Sequence, residues 1–145
     1  MIGLVQRVSQ AAVAVEGEQI AHIGKGMLVL LGVEREDGQP QIDKLAKKIS
    51  QYRMFSDDAG KMNLNVQQIE GKVLVVSQFT LVADTQKGNR PGFSRGATPA
   101  HGEQCYYDFI AALKNLGVPV ETGRFGADMQ VSLVNDGPVT FQFQI

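Results

Sequence analysis

Two hydroxyls, an amide and an aromatic ring follow one another at Ser77–Thr80, directly after the apolar run Val73–Val76. The run is too short for a typical helix and is rich in β-branched residues, which predicts a strand buried on both faces. The end of such a strand is a common place for chemistry in α/β proteins. Ser77 and Thr80 could serve such chemistry, or they could merely hydrogen-bond a local turn. Taken alone, the stretch favours the turn.

The partners that usually activate a hydroxyl nucleophile are missing from the neighbouring sequence. A Ser-His-Asp arrangement needs a histidine, and neither His22 nor His101 belongs to a recognisable motif near Ser77. Cys105 is the only cysteine, which excludes an intrachain disulfide and a cysteine-based zinc site. No metal centre is expected. An enzyme with this sequence should work through backbone donors, orientation and the groups of its own substrate.

A long, basic, glycine-bearing segment occupies residues 83–99. Its Lys87, Arg90 and Arg95 surround Phe93, and basic side chains interleaved with an aromatic suit phosphates together with a stacked base. Loops of this length are usually functional or disordered. The segment alone supports a binding loop and a mobile solvated loop equally.

Two isolated features each have a simple structural explanation. Arg7 lies in an apolar opening strand, where it is typical of an edge charge whose stem packs on the sheet. Gly137-Pro138 is an X-Pro step, and such bonds are cis in only about 5–6% of cases in folded proteins. On its own the dipeptide would begin an edge strand after a turn.

The composition bounds the class of protein. The 145 residues are 43% hydrophobic and 20% charged, as expected of one globular domain spanning residues 1–145. A net charge of −1 argues against holding nucleic acid by bulk electrostatics, so a contact would need a local basic patch. The apolar run Met27–Val33 is too short to span a membrane, and the N-terminus lacks the pattern of a signal peptide. We therefore expect a cytosolic protein without a cofactor.

Residue periodicity predicts two helices and several strands. One helix covers 40–53, and a second begins at Thr98-Pro99 and ends near Gly117. Residues 55–65 have the composition of a loop. Strands are expected at 2–8, 11–23 with a turn at 16–18, 27–33, 73–76, 118–122, and in a closing pair, 129–135 and 138–145, joined at Asn-Asp-Gly. This order predicts an α/β fold, a mixed sheet with two helices on one face and further strands packed on the other.

Motifs spread over nearly the whole chain together resemble the D-aminoacyl-tRNA deacylase family. They are VSQFTL at 76–81, KGNRPGF at 87–93, NDGPVTF at 135–141, QRV at 6–8, IGKGMLVLLGV at 23–33, YRMFSD at 52–57, GKMNLNV at 60–66 and TGRFGADMQVSLVNDGPVT at 122–140. One departure is visible, because the family usually has Arg-Pro-Ser-Phe where this chain has RPGF at 90–93. Gly92 removes the hydroxyl from that position.

The resemblance implies a hydrolase that cleaves the ester between a D-amino acid and the terminal adenosine of tRNA. It also implies clearance of glycine mischarged on alanine tRNA, and a homodimer with its active site at the subunit boundary. Gly137-Pro138, with a cis bond, would reach into the pocket of the other subunit. Its carbonyl oxygens would hold the substrate's amino group and leave no room for an L side chain.

The resemblance further assigns roles to single residues. The scissile ester would be surrounded by Ser77, Gln78, Phe79 and Thr80, with N–H groups near the last two stabilising the oxyanion. Arg7 would support the Gly-Pro element, and the pocket would be lined by Phe125 and Met129. Lys87, Arg90 and Arg95 are the candidate contacts to tRNA.

Two hypotheses about the attacking group and two alternative functions follow. Thr80 is the candidate nucleophile by position, but an unactivated hydroxyl is a poor nucleophile and no base stands beside it. We therefore favour the substrate's ribose 2′-hydroxyl helping to drive the attack. The alternatives are a non-catalytic nucleic-acid-binding or scaffold dimer that keeps the fold, and a general small-molecule esterase. The esterase would need its own nucleophile and base, which the sequence does not offer.

Overall fold

The computed structural model describes residues 1–145 as eight strands, two α-helices and one 3-10 helix. The strands are β1 (Ile2–Val15), β2 (Glu18–Ile23), β3 (Gly26–Gly32), β4 (Phe55–Ser56), β5 (Met62–Leu64), β6 (Lys72–Ser77), β7 (Val120–Thr122) and β8 (Gln130–Gln144). The helices are α1 (Gln39–Gln51) and α2 (Pro99–Asn115), and the 3-10 helix spans Phe79–Val82. None of the helices has the length and apolarity that crossing a bilayer requires.

Strand β1 is the axis of the sheet. Its first half pairs antiparallel with β3 and its second half with β2, while β8 follows it along nearly its whole length. The expected break between residues 8 and 11 is wrong, because the strand continues through Ser9 and Gln10. Both residues are exposed, so their polarity reflects contact with water and not the end of a strand.

The central strands β3, β6 and β7 are parallel to one another. Val73, Leu74, Val75 and Val76 are at most 2% exposed, which confirms the expected strand buried on both faces. At Gly26 the backbone of β3 approaches β6 closely, since an added Cβ would lie 1.8 Å from the carbonyl oxygen of Lys72. Only glycine permits this pairing.

The main core lies between the sheet and the two helices, which also pack against each other. Helix α2 begins as the sequence predicts, because the side chain of Thr98 accepts a hydrogen bond from the backbone N–H of His101. Gly117 follows the end of α2 at a φ of +86°, a conformation that favours glycine. Helix α1 differs from its expected bounds by one or two residues at each end.

A second, smaller core lies on the other face of the sheet. It gathers side chains from β1, β2, β3 and β6: Val8, Ala11, Val13, Ala21, Ile23, Leu28, Leu74 and Val76. Strand β2 approaches β6 and β7 without being hydrogen-bonded to either, so the sheet folds back over itself. The predicted fold class, a mixed sheet with two helices on one face and strands on the other, is confirmed.

The expected closing hairpin is wrong. Its two arms are consecutive parts of one strand, β8, and both run beside β1. The register passes from Asn135 opposite Val8 to Thr140 opposite Gln6, so that Asp136–Val139 face Arg7 alone. These looped-out residues include Pro138, which has no N–H for the ladder. The edge of β1 is long enough to pair with both arms. In a hairpin, the second arm would pair only with the shorter first arm.

Two smaller expectations also change. Residues 55–65, expected to form a loop, contain the short antiparallel pair β4 and β5. Strand β7 begins at Val120, later than the sequence suggests.

Candidate active site

A cavity of about 510 Å³ opens at the carboxyl ends of the parallel strands. Its walls come from the end of β3, the end of β6, the segment after β7 and the first turns of α2. In α/β sheets this edge is the usual place for a ligand, because successive strands end there and their connecting segments converge. The lining is mostly hydrophobic.

The polar stretch that follows β6 forms one wall of the cavity. Ser77 pairs with Leu31 at the end of the parallel ladder, and the N–H of Gln78 donates to the Leu31 carbonyl at 2.8 Å. Ser77, Gln78 and Phe79 line the cavity, whereas Thr80 does not. The exposed Thr80 hydroxyl accepts a hydrogen bond from the Gln78 side-chain amide.

The backbone after Gln78 provides donors without partners. Phe79 and Thr80 open the 3-10 helix, and the first N–H groups of a helix have no acceptor within it. Neither N–H donates to a carbonyl elsewhere in the backbone. One of these donors belongs to Phe79, which lines the cavity, and the other to the residue that follows it. Two such adjacent free donors can stabilise a developing oxyanion.

The opposite wall contains both residues expected to line a pocket, Phe125 and Met129. The sulfur of Met129 packs against Gly123, where an added Cβ would lie only 2.8 Å from it. The ring of Phe125 packs against Tyr106, with ring centroids 5.8 Å apart. The structure therefore brings these two residues together with Ser77, Gln78 and Phe79 around one cavity.

Tyr106 is a lining residue that the sequence indicated only as part of the buried stripe of α2. Its hydroxyl donates to the carbonyl of Val75 at 2.8 Å, and the N–H of Gly123 donates to the same carbonyl at 3.0 Å. Burial raises the pKa of Tyr106, and the neighbouring Tyr107 raises it further. The phenol is thus a fixed neutral donor and not a base.

The lining carries no carboxylate, imidazole, thiol or amine, and its only hydroxyls are those of Ser77, Thr98 and Tyr106. His101 is engaged elsewhere, with Nε2 at 2.7 Å from the carbonyl oxygen of Asp37. Cys105 is buried beside it, and burial raises the pKa of its thiol. No three His, Cys, Asp or Glu side chains are grouped to hold a metal ion. The cavity thus has no nucleophile–base pair of its own.

The Gly137-Pro138 dipeptide lies outside this cavity, on the loop Asp136–Val139, and its peptide bond is cis. Asp136, Gly137 and Pro138 are exposed, whereas Val139 is buried. Arg7 fastens the base of that loop. Its Nε donates to the carbonyl of Asp136 at 2.9 Å, and its Nη1 donates to the carbonyl of Met54 at 3.0 Å. Arg7 therefore contacts the loop and not the cavity.

Asn135 closes the same loop from the other side, a role the sequence did not indicate. Its side-chain oxygen accepts from the N–H of Val139 at 2.9 Å, and its amide donates to the hydroxyl of Thr140 at 2.9 Å. Asparagine frequently stabilises turns through such side-chain bonds, which was the available signal. The loop is therefore held in one shape by hydrogen bonds within its own chain.

The three candidate tRNA-binding residues, Lys87, Arg90 and Arg95, differ in their contacts within the chain. Lys87 and Arg90 lie exposed and form no ion pair. Arg95 turns back, and its guanidinium donates to the carbonyl of Ala83 at 3.4 Å. Of the whole basic segment, Phe93 and the residues Gly96–Pro99 line the cavity.

The fold and the site define a class of protein. A mixed sheet ends in a cavity with free backbone donors, and a separate Gly-Pro loop is fixed by Arg7. The chain belongs to the D-Tyr-tRNA(Tyr) deacylase family, whose model matches residues 4–144. This confirms the expected family and places the chain among hydrolases.

Curated relatives described as "D-aminoacyl-tRNA deacylase" match over the full length of both chains. Those from Alteromonas mediterranea, Haemophilus influenzae and Shewanella loihica are 70%, 61% and 60% identical over 145 residues. A solved structure described as "c-Myc DNA Unwinding Element Binding Protein" superimposes with a TM-score of 0.96 at 40% identity, covering 100% of this chain and 99% of the other. Another, "Structural Analysis of a probable eukaryotic D-amino acid tRNA deacylase", has a TM-score of 0.84 at 17% identity, covering 99% and 98%, and shows the fold alone.

Proposed function

We propose that this protein, as one domain spanning residues 1–145, hydrolyses the ester that joins a D-amino acid to the terminal adenosine of tRNA. The observation that carries the proposal is a cavity without a nucleophile–base pair, lined by Phe79, whose N–H and that of the adjacent Thr80 have no backbone acceptor. Family membership and the names of the full-length relatives support the same activity. The site of action is the cytoplasm, where aminoacyl-tRNA is made and used.

The mechanism follows from which groups the cavity offers. The ester carbonyl oxygen lies against the N–H groups of Phe79 and Thr80, which stabilise the tetrahedral oxyanion by about 3–4 kcal/mol per donor. Water adds to the carbonyl carbon, the bond to the ribose oxygen breaks, and that oxygen takes up the proton. Because the lining supplies no base, the substrate's 2′-hydroxyl orients the water and relays its proton. Ser77 and Gln78 position the ribose.

Selection of the D form depends on the loop Asp136–Val139. The loop lies outside the cavity of its own chain and exposes Gly137 and Pro138, so it acts on the cavity of a second copy. The carbonyl oxygens of Gly137 and Pro138 bind the substrate's amino group, which leaves no space for an L side chain. Glycine has no side chain to exclude, so glycyl-tRNA mischarged on alanine tRNA is also a substrate.

A homodimer is supported by the free edge of β8. This 15-residue strand pairs only with β1, and its outer edge has no partner within the chain. Long unpaired edges are usually covered, and a second copy of the chain covers one readily. Val134 on this strand is 48% exposed, which adds apolar area to the same surface.

The basic segment contributes the tRNA contact. Lys87 and Arg90 are exposed and form no ion pair within the chain, so both are available to phosphates. Arg95 donates to the Ala83 carbonyl and shapes the segment, with its remaining donors available to the tRNA backbone. A net charge of −1 makes such a local patch necessary.

The proposal is tested by hydrolysis of matched D- and L-tyrosyl-tRNA by the purified protein. Rapid loss of the D ester with an intact L ester is expected, and glycyl-tRNA should also be cleaved. Equal hydrolysis of both enantiomers would contradict the exclusion mechanism. Hydrolysis of free D-tyrosine esters as fast as D-tyrosyl-tRNA would instead favour a general esterase.

A second candidate function is nucleic-acid binding without catalysis. The likeness to the structure described as "c-Myc DNA Unwinding Element Binding Protein" is the observation that favours it. The free donors beside the cavity argue for catalysis, since a binding surface has no need of them. Absence of hydrolysis together with tight, salt-dependent DNA binding would select this alternative.

A further inference from the structure

Two exposed phenylalanines meet at the mouth of the cavity. Phe79 is 66% exposed and Phe93 is 45% exposed, yet their ring centroids lie 5.2 Å apart. Both line the cavity, and they form the only aromatic pair in which each ring is exposed. Large exposed apolar groups that are grouped at a binding site mark a surface for a partner.

The backbone around both rings is firmly held. Gly92 and Asp84 exchange two backbone hydrogen bonds at 2.7 and 3.0 Å, and the carbonyl of Phe93 accepts from Gly96. Phe79 follows Gln78, whose N–H is bonded to Leu31. Rings on a fixed backbone lose little further freedom when they bind, so the pair is pre-organised.

We infer that these two rings stack the base of the penultimate nucleotide of the RNA substrate, the one that precedes the terminal adenosine. The inference rests on the proposed function. In the proposed function the amino acid and terminal nucleoside occupy the cavity, so the RNA strand has to leave across its mouth, where both rings lie. Every base offers a flat face to an aromatic surface, and the exposed Arg90 lies on the same segment as Phe93 to meet a phosphate.

The experiment compares two substrates of different length. D-tyrosyl-tRNA contains the penultimate base, and D-tyrosyl-adenosine lacks it. For Phe93→Ala we expect kcat/KM on the tRNA to fall by about 5- to 150-fold, mainly through KM. Because Phe93 also lines the cavity, kcat/KM on D-tyrosyl-adenosine should fall as well, but by a clearly smaller factor than on the tRNA. Phe93→Tyr keeps an aromatic ring and should recover most of the loss on the tRNA.

A tRNA with an abasic penultimate nucleotide supplies the matching change on the substrate. The kcat/KM of the unaltered protein on this tRNA should be as low as that of Phe93→Ala on the intact tRNA. Combining the two changes should lower kcat/KM hardly any further. Additive losses would overturn the inference, because the ring and the base would then act independently.

The remaining outcomes distinguish base stacking from other roles of Phe93 and from failure of the proposed function. Equal losses by Phe93→Ala on both substrates would overturn it, since the ring would then shape the cavity itself. A weakened dimer in sedimentation experiments would overturn it in favour of a contact with a second copy. Hydrolysis of neither substrate by the unaltered protein would refute the proposed function, and this inference with it.

Discussion

The hydroxyl of Tyr106 is hydrogen-bonded to the carbonyl of Val75, and this bond ties helix α2 to the central strand that leads into the candidate site. Both residues are buried. The same carbonyl accepts from Gly123, which leads into the segment carrying Phe125 and Met129. One carbonyl oxygen thus sets the relative positions of two cavity walls.

The first prediction concerns this bond. Tyr106→Phe should lower the free energy of unfolding by about 1 kcal/mol, because the Val75 carbonyl keeps its bond from Gly123 and is not left without a partner. Urea denaturation measures the difference. Tyr107→Phe is the matched control, since Tyr107 is 53% exposed and should change nothing. A loss above about 3 kcal/mol would show that the carbonyl depends on Tyr106 alone.

The second prediction is the pH dependence of the same residue. The pKa of Tyr106 is raised by burial above its ordinary value of 10.0, so unfolded chains ionise this phenol before folded ones do. Its contribution to stability is complete below pH 10.0 and decreases as the pH rises above that value. The unaltered protein should therefore lose stability faster than Tyr106→Phe in alkaline urea titrations. Parallel curves for the two proteins would contradict the burial argument.

The third prediction compares two neighbouring glycines. Gly26→Ala places a Cβ 1.8 Å from the Lys72 carbonyl, while Gly24→Ala meets nothing within 4 Å. We expect Gly26→Ala to lose more than about 3 kcal/mol, because the obstacle is backbone that cannot move without separating β3 from β6. Gly24→Ala should remain within about 0.5 kcal/mol of the unaltered protein. Similar melting temperatures for both variants would refute this packing.

The fourth prediction concerns Gly123, which packs against the cavity-lining residue Met129. Gly123→Ala would push against the Met129 sulfur, 2.8 Å from the new Cβ. Methionine is flexible, so we expect a small loss of stability but a fall of about tenfold in kcat/KM on D-tyrosyl-tRNA. Steady-state kinetics with Gly24→Ala as the control measures this. Full activity in Gly123→Ala would show that Met129 does not contact the substrate.

The fifth prediction tests the support of the Gly-Pro loop. Arg7→Gln loses the charged donors that bind the carbonyls of Asp136 and Met54, which should loosen the loop. The ratio of D to L hydrolysis should then fall by about tenfold. Arg53→Gln, which changes an exposed arginine bonded only to Asn63 at 3.3 Å, is the control. An unchanged ratio in Arg7→Gln would separate this loop from chiral selection.

Local patterns predicted those parts of the fold that depend on neighbouring residues. The β-branched run Val73–Val76 indicated a doubly buried strand, and Thr98-Pro99 indicated the start of α2. The closing hairpin was wrong because Asn135-Asp136-Gly137 carries a turn signal, while the actual partner of both arms is β1, more than a hundred residues away in sequence. A turn composition records local bending and not the identity of the paired strand.

In the candidate site, too, local sequence patterns predicted some features, while others depend on distant parts of the chain. Polar residues after a buried strand made Ser77, Gln78 and Phe79 candidates, but that stretch alone favoured a turn. Their roles, like those of Phe125 and Met129, came from the resemblance. Tyr106 is typical of a core residue on its own helix, and its place at the cavity depends on how α2 packs on the sheet. Periodicity reports which side of a helix is buried, not what that side faces.

The central claim is that the cavity supplies backbone donors while the substrate supplies the hydroxyl. It is tested most directly by measuring single-turnover hydrolysis of D-tyrosyl-tRNA by Thr80→Ala, beside hydrolysis by the unaltered protein of a substrate with a 2′-deoxy terminal adenosine. Thr80→Ala keeps the N–H and should retain most of the rate, while the 2′-deoxy substrate should lose it. An inactive Thr80→Ala with a fully cleaved 2′-deoxy substrate would contradict the account and make Thr80 the nucleophile.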